Sequence, residues 1–514
     1  MRKNLAIETI GICAICLLSL VSCKKEMTPG LPPADVVSST LPVKDRINII
    51  FYAISGGTTI DKLSTVDRLP ISSATLMGLQ PGETILAIDF RPATGQLYGV
   101  SSASKLYVIN PESGATRMIG AAAFTPALET GVAAFDFNPT VDRIRLVTSS
   151  GQNLRLNPET GTVAITDKTI NGVTGAMITG AAYTNNVAGA ATTTLYDIDV
   201  TTQSLYKQIP PNDGTLELVG PLKLKIMGEG GFDIATGSGM ALGLYTVNNL
   251  PTLFQVDLLT GEAVALERYE RKMYTGIAIP TQPVAYAVDL MNNLLIFNPR
   301  NTATIVSKTI MGLAAGENVV GLDFRPLNGQ LYGLTSNSRI VTINASSGVI
   351  AVVGTLSTPL SGTDFGFDFN PLVDLIRIIS NTGQNLRYNP NDATLPVLVD
   401  GMINPNSPQI TGAAYANNFA GTTSTMLFDI DVATDMLYLQ APPNGGALKA
   451  IGPLGINVSA ASGFDIGGTS GTAWAILVVD GMARMYEINT MTGGATLLSG
   501  FATPVSGFTV GLGF

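Results

Sequence analysis

The segment "FDFNPTVDRIRLVTSSGQNLRLNP" (Phe135–Pro158) returns 232 residues later as "FDFNPLVDLIRIISNTGQNLRYNP" (Phe367–Pro390). It belongs to a repeat that takes in nearly the whole chain and limits the fold more than any other feature. "DFRPATGQLYG" at Asp89–Gly99 returns as "DFRPLNGQLYG" at Asp323–Gly333. "ITGAAYTNN" at Ile178 returns at Ile410 as "ITGAAYANN", "LYDIDV" at Leu195 returns at Leu427 as "LFDIDV", and "GFDI" recurs at Gly231 and Gly463. The two halves run over about 48–280 and 281–514.

Each half carries a finer period. A short strand ending in an Asp-aromatic or related pair recurs at Asp89, Asp136, Tyr183, Asp233, Ala278, Asp323, Asp368, Tyr415, Asp465 and Gly513, at spacings of 45 to 50 residues. Within one period the alternation and the turn residues mark four strands: "IDF", "QLYGVSS", "KLYVINP" and "ATRMIG". Turns such as Asn-Pro-Glu-Ser-Gly (110–114) join the third to the fourth. Asn bonds its own backbone there, Pro presets φ and Gly accepts the left-handed position. The 55 Gly and 29 Pro spread along the chain suit many short strands and tight turns.

Repeated four-stranded units of this length predict an all-β β-propeller of ten blade modules in two five-blade halves. The chain starts with strands two to four of a blade, from "FYAI" at Phe51, and ends on a lone first strand, "TVGLGF". That arrangement predicts a clasp in which the last strand completes the blade begun at Phe51 and removes the exposed edges. The junction "IPTQPVAYAV" is no longer than other connections, so a single ten-bladed ring is preferred over two five-bladed propellers.

"GIDFRP…GQLY"-like segments, "GFDFNP…D.IR…GQNLR.NP", "AAYTNN" and "GFDI" resemble the DUF4394 domain, a bacterial propeller-like family of unknown function. The resemblance covers both halves and implies a fold but no activity.

The N-terminus reads as an address. Arg2 and Lys3 precede an apolar run, Ile10–Leu20, too short to span a bilayer but right for a secretory signal. It ends in "LVSC", which resembles the lipobox of bacterial lipoproteins, with Cys23 the acylated residue. Residues 1–23 are then the signal peptide and 24–47 a Pro/Ser-rich tether. Two lipid signals on Cys23 would give stable membrane anchoring. Lys24 in place of Asp favours delivery to the outer membrane.

Cys13, Cys16 and Cys23 are the only cysteines, and there is no His. Zinc sites of Cys and His, Ser-His-Asp triads and Cys-His pairs are excluded from the body. A net charge of −9 gives no footprint for nucleic acid. No cofactor is expected. Nor is a metal site: "DIDVTT" (Asp197–Thr202) lacks the Gly and the closing Glu of a calcium loop.

The opening motif has diverged least. Ala133–Thr160 and Phe365–Asp392 share 16 of 28 positions, whereas Leu106–Gly120 and Ile340–Gly354 share 5 of 15. The candidate polar cluster is Asp136, Asn138, Arg145, Gln152, Asn153 and Arg155, with Asp368, Asn370, Arg377, Gln384, Asn385 and Arg387 in the second copy. A structural role is favoured over a ligand site, with Asp136 paired to Arg145 and Asp368 to Arg377 between blades. Two functions remain open. One is a noncatalytic envelope scaffold that binds a glycan, peptide or protein. The other is a carboxylate-dependent enzyme acting on glycans.

Overall fold

The structure is a computed structural model that describes residues 47–514 except 130, 270, 271, 395 and 460–462. Cys23, the signal segment and nearly all of the tether lie outside the described residues. The described chain forms ten four-stranded antiparallel sheets. The sheet at Ile85–Phe90, Leu97–Ser101, Leu106–Ile109 and Thr116–Ile119 matches the four strands expected from the sequence. In its outer turn Asn110 Oδ1 accepts from the Glu112 and Ser113 amides at 3.0 and 2.9 Å. Gly114 there has φ +73°, and a Cβ on it would lie 2.2 Å from the Thr75 carbonyl oxygen of the adjoining blade. Left-handed backbone and close approach both require glycine at this point.

Two rings are closed, not one. The inner strands Ile85–Phe90, Ala133–Asn138, Ile178–Tyr183, Met227–Ile234 and Tyr274–Ala278 neighbour one another in a complete cycle. So do Val319–Arg325, Phe365–Asn370, Ile410–Tyr415, Gly463–Ile466 and Val505–Val510. The strand Ile50–Ser55 pairs with Tyr274–Ala278, and Ala285–Asp289 pairs with Val505–Val510. This corrects both the ten-bladed ring and the clasp between the C-terminus and Phe51. Each half is a five-bladed propeller with its own clasp, so no inner sheet edge stays open.

The short junction is compatible with two rings because the propellers touch where the chain crosses. Val284 packs in one apolar cluster with Ala93 of the first propeller and Leu512 of the second, and Phe514 lies against it. The Gly511 amide donates to the Val284 carbonyl at 2.9 Å, and the Gly513 amide to the Thr94 carbonyl at 2.8 Å. Elsewhere the core lies between adjacent blades. One such layer packs Tyr98, Val100 and Leu106 of one blade on Phe135, Phe137 and Ile144 of the next.

Candidate functional site

The repeated polar motif lies between blades. Arg145 sits on the strand Arg143–Thr148, opposite Asp136 in register. Its partner, however, is not Asp136. Nη1 donates to Asn153 Oδ1 and Asp167 Oδ2, both at 2.7 Å, and Nη2 to Asn212 Oδ1 at 2.7 Å. Nε lies 3.4 Å from the Tyr183 hydroxyl. Arg155 forks onto the same Asp167 with two bonds of 2.8 Å, and Asn153 donates to the Pro211 carbonyl at 3.1 Å. Tyr183, Pro211 and Asn212 belong to the next blade or its turn, so the guanidinium ties two blades together.

The second copy repeats this atom for atom. Arg377 reaches Asn385, Asp400 and Asn444 at 2.7 Å and Tyr415 at 3.3 Å, while Arg387 forks onto Asp400. Burial opposes ionisation of Asp400, but the hydrogen bonds from Arg387 and Arg377 outweigh it and hold the carboxyl below its ordinary value. Gln152 and Gln384 pin the preceding loops through the Ala127 and Pro359 carbonyls, each at 2.9 Å. Asn138 and Asn370 close their own turns onto the Thr140 and Leu372 amides.

Asp167, Asp400, Asn212 and Asn444 escape the motif. Their signal is a recurrence at nearly equal offsets: an Asp 12 or 13 residues after the second Arg, and Pro-Pro-Asn shortly after a Gln. Replacing Arg377 with Met is expected to cost about 3–5 kcal/mol, because Asn385 Oδ1 and Asn444 Oδ1 lose their charged donor and only Arg387 still compensates Asp400. A melting curve of Arg377→Met should fall roughly 10 °C. Arg377→Lys should not restore it, since an ammonium cannot make the fork. A midpoint unchanged in both variants would refute the staple.

Asp136 and Asp368 turn instead to the propeller axes. Asp89 accepts the Phe90 amide on Oδ1 and the Phe137 amide on Oδ2, at 2.7 and 2.8 Å. Asp136 accepts the Tyr183 amide at 3.0 Å, and Asp233 the Ile279 amide at 2.6 Å. In each case a carboxylate on one inner strand receives an amide from the next. Asp323, Asp368 and Asp465 do the same with Phe369, Tyr415 and Val510. This pattern makes Ala182 and Ala278 the fourth and fifth members of the first ring. Ala414 and Thr509 take those places in the second. The sequence markers Tyr183, Tyr415 and Gly513 therefore sit off the ring position. Within each triad, one oxygen from every Asp lies within 4.8 Å of the others. Burial first, then the neighbouring carboxylates, push Asp89 and Asp136 well above the ordinary range, and burial raises Asp233 to about 6.

"DIDVTT" is a turn. Asp199 accepts from the Thr201 amide at 2.9 Å and the Thr202 hydroxyl at 2.7 Å. Asp197 and its counterpart Asp429 are fully buried, and among the described residues neither oxygen of either side chain has a hydrogen-bond partner. "YTNN" and "YANN" each begin on the last residue of an inner strand and continue into a bend, with Asn185 and Asn417 at positive φ.

The two propellers meet through the turns between first and second strands. Arg91 forks onto Asp142 and donates to the Gly329 carbonyl across the interface at 2.9 Å. Beside this contact lies a cleft of about 370 Å³, lined among others by Phe90, Val108, Arg117, Phe419, Thr469 and Leu512. Arg117 is partly buried, and among the described residues its side chain makes one hydrogen bond, to the Pro326 carbonyl at 3.4 Å. Among the described residues no carboxylate pairs with it. Burial lowers its pKa, and the more distant Tyr98 and Asp374 only partly oppose this.

A comparison with solved structures finds PorZ of Porphyromonas gingivalis, described as an essential bacterial surface component of the type-IX secretion system. The identity is 11%, over 89% of this chain and 60% of PorZ, with a TM-score of 0.25. The chain thus spans less than two thirds of that protein. No curated protein matches the sequence. The family model described as "Domain of unknown function (DUF4394)" matches residues 62–278 and again 293–509. Both matches end inside a clasp strand, the first at Ala278 and the second at Thr509, and with most of its length covered in this way the chain belongs to the DUF4394 family as a tandem pair of its domains.

Proposed function

We propose that the protein is a membrane-anchored, noncatalytic binding scaffold of the bacterial cell envelope, whose ligand site is the cleft between the propellers. The observation that carries this reading is Arg117, a guanidinium drawn out of water into a mainly apolar cleft without a carboxylate of its own. Such a group favours a ligand that brings a carboxylate on an apolar body. The locked interface supports the reading, because a site built between two rigid rings is preorganised. Burial of the axial acids speaks against the glycosidase alternative. Asp89, Asp136 and Asp233 are each 1% exposed, and a sugar ring could not reach them.

The anchor rests on "LVSC", and outer-membrane delivery on Lys24. One experiment tests both parts. Full-length protein should fractionate with membranes after a carbonate wash, and Cys23→Ala should release it. On peptide and glycan arrays, bound species should carry a carboxylate. Arg117→Glu should weaken them about tenfold or more, the worth of one charge-assisted hydrogen bond. Retention of Cys23→Ala in the membrane overturns the anchor. Binding indifferent to Arg117→Glu overturns the cleft.

A further inference from the structure

We propose that the axis of the first propeller holds one divalent cation, best fitted by Ca²⁺, between Asp89, Asp136 and Asp233, and that the second propeller has closed the equivalent position. Three observations lead there. The first is geometry. The three carboxylate oxygens lie within 4.8 Å of one another. Calcium takes oxygen ligands at about 2.3–2.6 Å, so two ligands on opposite sides of the ion stand up to about 4.6–5.2 Å apart. The triad is compatible with that sphere. Magnesium demands near-ideal octahedral geometry and keeps several waters, whereas three carboxylates from separate strands suit the looser sphere of calcium. An all-oxygen set excludes any preference for soft metals.

The second observation is an unpartnered atom. Asp136 is 1% exposed, and the Tyr183 amide takes its Oδ1 at 3.0 Å. Among the described residues its Oδ2 has no hydrogen-bond partner, and the charges of Asp89 and Asp233 act on this side chain. A buried carboxylate oxygen left bare is costly, and a cation removes that cost together with the mutual repulsion of the triad. Ala182 and Ala278 complete the ring with methyl groups, which offer Asp136 Oδ2 no hydrogen bond.

The third observation is the difference between the rings. Where the first has Ala278, the second has Thr509. The Thr509 hydroxyl lies 2.8 Å from Asp465 Oδ2 and 3.0 Å from Asp323 Oδ1. Asp368 faces Asp465 closely enough for the two carboxyls to hydrogen-bond when one carries a proton. In the second triad the Thr509 hydroxyl reaches two of the three carboxyls, whereas the first triad lacks that hydroxyl.

The test is calcium binding to full-length protein first stripped with EDTA. Equilibrium dialysis at pH 7.5 should find one Ca²⁺ per chain, with the melting midpoint raised by several degrees and a smaller rise with Mg²⁺. Asp136→Asn should weaken binding at least tenfold. Ala278→Thr should abolish it while the protein stays folded, because the second propeller already accommodates Thr at that place. Thr509→Ala should raise the stoichiometry towards two. No bound calcium in the parent, or binding unchanged in Ala278→Thr, overturns the proposal and leaves the triad as shared protons.

Discussion

Removal of residues 506–514 is expected to open the second propeller and leave the first closed. The deleted segment is most of the inner strand Val505–Val510 with the tail that follows. Its register runs from Ala285 opposite Val510 to Asp289 opposite Val505. Phe508, Val510 and Leu512 are buried. At about 1.5–3 kcal/mol for each large apolar side chain, their loss approaches the whole stability of a typical domain, about 5–15 kcal/mol. Asp465 also loses the Val510 amide and the Thr509 hydroxyl, and Ala285–Asp289 becomes a bare inner edge that invites aggregation. The first propeller is clasped by Tyr274–Ala278, which the deletion does not touch. Limited proteolysis of the truncated protein should therefore destroy the region after residue 284 and spare a fragment near 47–280. A single ten-bladed ring would lose both halves together. A truncated chain that melts like its parent would refute the clasp itself.

The parts of this architecture that rest on local chemistry could be read from the sequence. Strand alternation, Asn-Pro-x-x-Gly turns and the fixed period each reflect neighbours in the chain, and the four strands at Ile85–Ile119 came out as expected. Closure is a contact between residues some 220 apart. Ala53 meets Ile277, and Ala287 meets Phe508. Nothing local distinguishes one ring from two. The pairing of Arg145 failed for a related reason. Register does place Asp136 opposite it, but a long guanidinium reaches past its cross-strand neighbour to Asp167, while the short Asp136 side chain stays at the axis. The module marker slipped by one residue at Tyr183 because only the aromatic member of the Asp-aromatic pair survives there. Tyr183 holds the place of Phe137, and Ala182 the place of Asp136. The axial triad was present in the sequence as three marked positions, yet its convergence depends on closing five blades around one axis.

Two buried acids outside the triads, Asp197 and Asp429, also set how the protein responds to pH. Stability is expected to fall as pH rises from about 4 to about 8. Burial raises Asp197 to about 8, against an ordinary value of 3.8. Burial likewise raises Asp429 well above the ordinary range, with Arg377 opposing it only in part. Each is neutral when folded and ionises freely once the chain unfolds. Its contribution is complete below pH about 4, declines as the unfolded form ionises, and is exhausted once the pH passes the folded value. For Asp197 the span is about four pH units, on the order of 5 kcal/mol. Below pH about 4 the opposite group takes over. Glu83 and Glu317 sit below their ordinary values because their hydrogen bonds, led by Ser101 and Arg339, outweigh burial, and the stability they give is lost as they take up protons. The melting midpoint should therefore be highest near pH 4–5. Asn removes the ionisation and keeps the shape, so Asp197→Asn combined with Asp429→Asn should melt higher than the parent at pH 8 and differ little from it at pH 4.5. If the double variant keeps the parent's full slope between those pH values, these two acids are not what makes the fold sensitive to alkali.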